Sequence, residues 1–347
     1  MKYKEDLKEK KYNYNLSLLK VLACIAVVGL HTFRPNAMIL YYLCGFAVPI
    51  FFMTSGYLIF GKEKITWNYS LIKIIKIIRL IFLWNLLIYF IGLITRFLIG
   101  LDLSYYGIEA LIKEMIGSLV QRGEMWQFWY LGALILIYFM LPVVQKIMKN
   151  VTNEKTGLIC IWCIFVVISV SIQVLSMYLG QPIQIYVFQN FRIWSWLQYF
   201  IAGGVIRYLS IDIVNKISKK NHFKILMIVT IVVNVYQSII GKNILNTVYA
   251  EFFYDSIVTI IWLFLLFTYI LRIELSDKMK KICKKMSSLT LGVYIIHPGV
   301  MEYMKGTIEP DTFHLSIIFF GVVTIISFVI VYEICKVSLI KKLLFTI

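Results

Sequence analysis

Ten long apolar stretches run through this 347-residue chain, and they constrain its fold more than any other feature. A helix needs about 20 mostly apolar residues to cross the hydrocarbon core of a bilayer. Backbone groups inside the bilayer must find hydrogen-bond partners within the protein, which favours helices. The sequence therefore predicts an all-α polytopic membrane protein with about ten transmembrane helices. The stretches lie at residues 16–34, 38–60, 77–100, 128–147, 157–179, 193–210, 223–241, 253–272, 288–305 and 313–335.

The net charge of +17 would indicate a nucleic-acid partner in a soluble protein. Here the cations lie between the apolar stretches, and only 15% of the residues are charged while 60% are hydrophobic. That composition excludes a nucleic-acid-binding module and an ordinary soluble enzyme. Membrane lipids are the expected surroundings, and a multi-pass location in the plasma membrane is the expectation.

The distribution of Lys and Arg predicts the orientation. With the N-terminus inside, 28 cations fall on the cytoplasmic side and 7 on the other side. An excess of Lys and Arg in cytoplasmic loops is typical of membrane proteins, so both termini are expected to be cytoplasmic. The longest outer segment, 101–127, is amphipathic and is expected to lie in the membrane interface. We expect one membrane domain over 1–347, with a short cytoplasmic tail over 1–15.

Two ionisable side chains, Lys20 and His31, lie in the first apolar stretch. They are 11 residues apart, so on a helix they share a face within roughly 20° and are separated by about 16 Å along the axis. Lys20 alone is equally well explained as a lysine that reaches the headgroups. An ionisable residue inside a span is a functional hypothesis by default, and the pair on one face favours function.

Four further features are candidates, each with a structural alternative. Ser55 belongs to a Ser-Gly pair that also suits close helix packing. A second imidazole, His297, follows Tyr294 in the ninth stretch, and either could simply hydrogen-bond to a neighbouring helix. Glu124 precedes an aromatic run near the outer side, like the second outer carboxylate Glu302, and a plain interface position explains each. The fourth feature is a row of cations before the third stretch, which topology alone also explains: Lys73, Lys76 and Arg79.

The six cysteines do not form a disulfide or metal framework. Cys160 and Cys163 form a CxxC pair without a second pair of ligands, so neighbouring apolar cysteines explain them better than a metal site does. We expect no metal.

Several motifs occur in an order that resembles the acyltransferase 3 family of integral membrane acyltransferases. The resemblance covers nearly the whole chain. The motifs are Lys20-x10-His31, FFMTSGYL (51–58), Lys73-x-x-Lys76, FWYLGALILIYFMLP (128–142) and LGVYIIHP (291–298).

The resemblance implies transfer of an acyl group, usually acetyl, from cytoplasmic acyl-CoA to a hydroxyl of a surface glycan or lipid-linked sugar. The family's histidine corresponds to His31 and is taken as essential. Its Arg-x-x-Arg pattern, associated with the acyl donor, appears here as Lys73-x-x-Lys76, and lysine lacks the bidentate guanidinium. The chain resembles members without an added extracytoplasmic domain.

Acyl transfer to an alcohol needs a base, and a histidine titrates near neutrality. We assign that role to His31. His297, Tyr294 and Ser55 are candidates to stabilise the oxyanion, and Glu124 to orient an imidazole or a sugar. Acetyl-CoA is expected to keep its phosphates at the basic inner face, near four cations: Lys20, Lys73, Lys76 and Arg79.

Two alternatives stay open at this level. A multi-span transporter or flippase of a glycan or an acylated small molecule would also carry ionisable residues within the membrane. A covalent acyl-enzyme at Ser55 is the alternative to direct transfer. The oligomeric state cannot be predicted from these features.

Overall fold

The computed structural model describes residues 12–62, 64–104, 106–151, 153–209 and 216–346. The first eleven residues of the predicted tail 1–15 lie outside this part of the chain. The described residues form helices without strands. The helices are α1 (Tyr14–Thr32), α2 (Met38–Leu43), α3 (Ala47–Ile59), α4 (Trp67–Leu98), α5 (Ile108–Leu119), α6 (Trp129–Lys149), α7 (Glu154–Leu179), α8 (Ile193–Tyr208), α9 (Lys219–Ile240), α10 (Ile257–Leu271), α11 (Asp277–Ser287), α12 (Thr290–Lys305), α13 (Phe313–Ile334) and α14 (Ser338–Leu344).

The prediction of an all-α polytopic membrane protein is confirmed. Within the described residues, 7 helical segments are long and apolar enough to cross a membrane. They are Tyr14–Thr32, Met38–Ile59, Trp67–Leu98, Trp126–Lys149, Glu154–Leu179, Lys219–Leu245 and Phe313–Ile334. The second of these combines α2, a short 3-10 turn and α3.

Three predicted spans correspond to shorter helices. The stretches 193–210, 253–272 and 288–305 contain α8, α10 and α12, which have 16, 15 and 16 residues. A 16-residue helix is about 24 Å long, less than the roughly 30 Å of a hydrocarbon core. The count of ten spans and the cytoplasmic position of both termini therefore stay predictions.

The third span begins earlier than the sequence indicated. Helix α4 starts at Trp67 instead of residue 77 and runs for 32 residues. The Thr66 side chain caps its first turn by accepting from the Tyr69 backbone N–H. Apolar residues separate the cations that follow and no helix breaker intervenes, so the predicted lead-in continues the helix. Lys73, Lys76 and Arg79 therefore lie on the same helix as the span.

Glycines bring α3 and α8 into close contact. A Cβ atom on Gly56 of α3 would lie 1.7 Å from the carbonyl oxygen of Phe200, and one on Gly203 of α8 would lie 1.9 Å from that of Met53. No larger residue fits at either position without moving backbone. The close helix packing considered for the Ser55-Gly56 pair is thus due to Gly56.

Helix α1 lies at the centre of the bundle and contacts α3, α10, α11, α12 and α13. Its N-terminal end is fixed by the side-chain amide of Asn15, which contacts carbonyl oxygens of Ile270, Leu271 and Ile273 at 2.8, 3.1 and 2.8 Å. These carbonyls at the end of α10 would otherwise lack helical partners. The central position places the polar groups of α1 inside the protein.

Candidate active site

Two cavities meet at the C-terminal end of α1. The first, here called the lysine cavity, has a volume of about 390 Å³ and is lined by Lys20, Lys62 and Lys73 at one end. The second, here called the arginine cavity, has a volume of about 340 Å³ and is lined by Arg34. Both volumes suit small-molecule ligands. The two cavities share five wall residues: Val27, His31, Val48, Trp126 and Trp129.

His31 therefore separates the two cavities. Its imidazole lies in the last turn of α1, edge-on to the Trp126 ring with centroids 4.9 Å apart. The His297 ring stacks on its other side at 5.4 Å, with an angle of 27° between the planes. Neither ring nitrogen of His31 has a hydrogen-bond partner in the described part of the chain. The unprotonated nitrogen of neutral His31 is thus free to accept a proton from a ligand, which a general base requires.

His297 is fully buried behind His31 and lines neither cavity. Its Nδ1 lies 2.8 Å from the carbonyl oxygen of Tyr294 and 3.1 Å from that of Val293. Pro298 has no N–H, so the Tyr294 carbonyl lacks its usual helical donor, and the His297 ring supplies one. The neutral ring then carries its proton on Nδ1. Its Nε2 is left as a buried acceptor without a partner in the described residues.

Tyr294 and Ser55 line the lysine cavity. The Tyr294 hydroxyl donates to the backbone carbonyl of Gln127, whose side-chain amide donates to the Ile295 carbonyl at 2.8 Å. These bonds join the segment before α6 to α12 beside the site. The Ser55 side chain lies against the Tyr130 hydroxyl. Among the described residues no hydrogen bond joins Ser55 to a histidine, although a serine nucleophile is activated by such a base.

The structure divides the predicted cations into two groups. Lys20 and Lys73 line the lysine cavity, whereas Lys76 and Arg79 do not. The Arg79 guanidinium instead donates to the carbonyl oxygen of Lys342 in α14 at 3.4 Å. Sequence reasoning missed Lys62, which lines the cavity with its ammonium 4.1 Å from the centre of the Tyr69 ring. Its position four residues after the FFMTSGYL motif could have identified it in the sequence.

The predicted carboxylates lie away from both cavities. Glu124 is exposed, and its backbone N–H donates to the Glu114 carboxylate at 3.2 Å. Glu302 pairs with Lys305 at 2.9 Å on the surface. The carboxylate that does line the arginine cavity is Glu251, which sequence reasoning did not single out. Glu251 lies among aromatic residues shortly before the predicted span 253–272, and Glu124 has a similar position before the span 128–147. This position could have identified Glu251 in the sequence.

Nothing in this arrangement resembles a metal centre. Across the described ranges, no group of three or more His, Cys, Asp or Glu side chains is placed to hold a metal ion. The lysine cavity instead offers cations at one end, tyrosine hydroxyls along its wall and His31 at the other end. Such a cavity suits an extended ligand with an anionic end and a reactive end about 16 Å away, the Lys20–His31 spacing along α1.

Comparison with known protein families gives one match over most of the chain. The model of the acyltransferase 3 family, described as an acyltransferase domain, matches residues 13–333. The match includes both cavities. No curated protein and no solved structure matches the chain.

Proposed function

The chain belongs to the acyltransferase 3 family and is a membrane acyltransferase, and we propose that it moves an acetyl group from acetyl-CoA to a hydroxyl of a glycan or lipid-linked sugar. The observation that carries this proposal is the position of His31 in the wall between two cavities of different chemistry. A donor and an acceptor can reach one imidazole from opposite sides. Membership in a family of acyltransferases favours acyl transfer over the transporter or flippase alternative.

In this proposal acetyl-CoA binds in the lysine cavity. Its phosphates would lie at Lys62, Lys73 and Lys20, because lysine ammonium groups bind phosphate as point charges. The pantetheine arm is long and mostly uncharged, and it would pass Tyr69, Tyr138 and Tyr130 on the cavity wall. The thioester would then reach His31.

The acceptor enters the arginine cavity in this proposal. Its hydroxyl attacks the thioester carbonyl while a ring nitrogen of His31 takes the hydroxyl proton. The new C–O bond forms, the C–S bond breaks, and the leaving thiolate of CoA takes the proton back from His31. Transfer is direct, since Ser55 has no neighbouring base.

The oxyanion that forms during attack needs a hydrogen-bond donor. The Tyr294 hydroxyl is already committed to the Gln127 carbonyl, and the Nε2 of neutral His297 accepts instead of donating. The indole N–H of Trp126 has no acceptor in the described residues and lies beside His31. We assign it as the donor. His297 becomes a residue that packs and orients His31.

The experiment is to incubate the purified full chain in detergent with acetyl-CoA, with calorimetry for binding and chromatography for released CoA. We expect saturable binding and slow release of CoA that a glycan acceptor accelerates. His31→Ala should abolish the acceptor-dependent release of CoA, and His314→Ala is its matched control, because His314 is exposed at the start of α13 and outside both cavities. Absence of acetyl-CoA binding would contradict the proposed donor.

A further inference from the structure

We infer that the acyl acceptor carries an anionic group and that Arg34 in the arginine cavity binds this group. The inference rests on the proposed function in one respect, namely that the acceptor uses this cavity. It adds the charge of the acceptor, which neither the family match nor His31 specifies. Arg34 is available for such a group because of how the charged side chains around the arginine cavity are paired.

Arg34 is a cation without a carboxylate partner. It follows His31 by three residues and lines the arginine cavity, with its guanidinium carbon 4.1 Å from the centre of the Tyr249 ring. Among the described residues no carboxylate oxygen lies within ion-pair distance of it. A guanidinium held on an aromatic face keeps its donors directed outward for a planar or tetrahedral anion.

Glu251 does not neutralise Arg34, because it already has partners. One carboxylate oxygen lies 3.4 Å from the Arg192 guanidinium, and the other accepts from the side-chain amide of Gln189 at 2.9 Å. Arg192 is 6% exposed and Glu251 is its nearest counterion. The charge of Glu251 is therefore paired with Arg192, whereas Arg34 lines the cavity without an ion pair among the described residues. A charge in a cavity of limited size is stabilised by a ligand of opposite sign.

The remaining polar groups of the cavity fit a hydroxylated ligand. The side-chain oxygen of Gln189 is buried and has no partner in the described residues, so it can accept from a ligand hydroxyl. The Tyr41 oxygen accepts from the Ala250 N–H at 3.0 Å, which leaves its own proton to donate. Trp126 and Trp129 add apolar faces. Together with Arg34, this lining suits a sugar unit that bears a carboxylate or a phosphate.

The test compares related sugars with and without an anionic group. Methyl β-D-glucuronide and glucose 1-phosphate are each compared with methyl β-D-glucoside, and the corresponding galactose compounds form a second set. Binding to the full-length protein in detergent is measured from ligand-dependent thermal stabilisation. We expect an anionic member of at least one set to bind about ten-fold more tightly than its neutral counterpart, because charge-assisted hydrogen bonds are the stronger ones.

Arg34→Gln should abolish that preference, while Arg34→Lys should retain part of it. Arg122→Gln is the matched control, because Arg122 is exposed, neighbours the cavity residue Gln121 and does not line the cavity itself. A preference for the glucuronide identifies a carboxylate, and a preference for the sugar phosphate identifies a phosphate. Equal binding within both sets, no binding of any sugar, or a preference that survives Arg34→Gln would overturn the inference.

Released CoA separates this inference from the proposed function. An anion preference in binding, without any acceptor-dependent release of CoA, leaves the anion site in place and contradicts acyl transfer to it. Release of CoA with neutral sugars as efficiently as with anionic ones supports acyl transfer and contradicts the anion site.

Discussion

The lysine cavity and the arginine cavity share the imidazole of His31 but differ in most of their other polar groups. The first has three lysines at its far end and tyrosine hydroxyls on its wall. The second has one arginine, one paired carboxylate and two glutamines. A single ligand would not need two such different surroundings. The difference indicates two substrates, an extended one with phosphates and a compact one with hydroxyls, that meet at one residue.

The two cavities should open to opposite sides of the membrane, which is an all-or-none prediction. The cation distribution predicts that the lysine end lies on the cytoplasmic side. In a variant without native cysteines, a cysteine at Thr312 should react with an impermeant reagent added outside intact cells, and one at Lys281 should not. Reaction at Lys281 from outside would reverse the assignment of the two cavities.

A bulky side chain in the lysine cavity should prevent donor binding. Ser55→Phe would fill part of a space of about 390 Å³ that the pantetheine arm needs, and we expect roughly a 100-fold loss of acetyl-CoA affinity. Ser55→Ala leaves the space open and should change the transfer rate little. Calorimetry and the rate of CoA release measure the two effects. Complete loss of transfer in Ser55→Ala would instead indicate an acyl-serine intermediate.

The lysines that line the cavity should matter more than the cations beside it. Replacing Lys62 and Lys73 together with Gln should weaken acetyl-CoA binding about ten-fold, which is 1–2 kcal/mol for two partly solvated phosphate contacts. The matched double replacement of Lys76 and Arg79 with Gln removes the same amount of charge from α4 at positions outside the lining. It should change affinity by less than about two-fold. Equal effects would show that only the general positive charge of this face attracts the donor.

The helices and part of the site can be predicted from the sequence because they depend on local patterns of residues. Apolar stretches separated by cations specify membrane helices almost independently of tertiary contacts. The spacing of Lys20 and His31 specifies that they share a face, because a helix fixes the direction of both. Both line the lysine cavity.

The rest depends on contacts between helices. Lys62, which precedes α4, lines the lysine cavity, whereas Lys76 on α4 does not, although it follows the lining residue Lys73 by only three positions. Glu251 reaches the arginine cavity from a segment more than 200 residues after His31, and a local pattern does not encode such a contact. The oxyanion role considered for His297 needs a ring nitrogen that can donate. Pro298 frees the Tyr294 carbonyl, and the Nδ1 proton of the neutral His297 ring is directed to it, which a contact within the folded helix decides.

Acetyl transfer in this proposal depends on the imidazole of His31, which takes the proton of the acceptor hydroxyl. The most direct measurement is the rate of acetyl transfer by His31→Gln at a concentration of acetyl-CoA that saturates the variant, with donor affinity determined on the same preparation. Glutamine keeps a hydrogen-bonding side chain but cannot take a proton near neutral pH. We predict unchanged donor affinity and a rate lower by about 10²–10⁴-fold, the usual contribution of a general base. Transfer near the wild-type rate would contradict the claim and leave His31 as a hydrogen-bonding residue only.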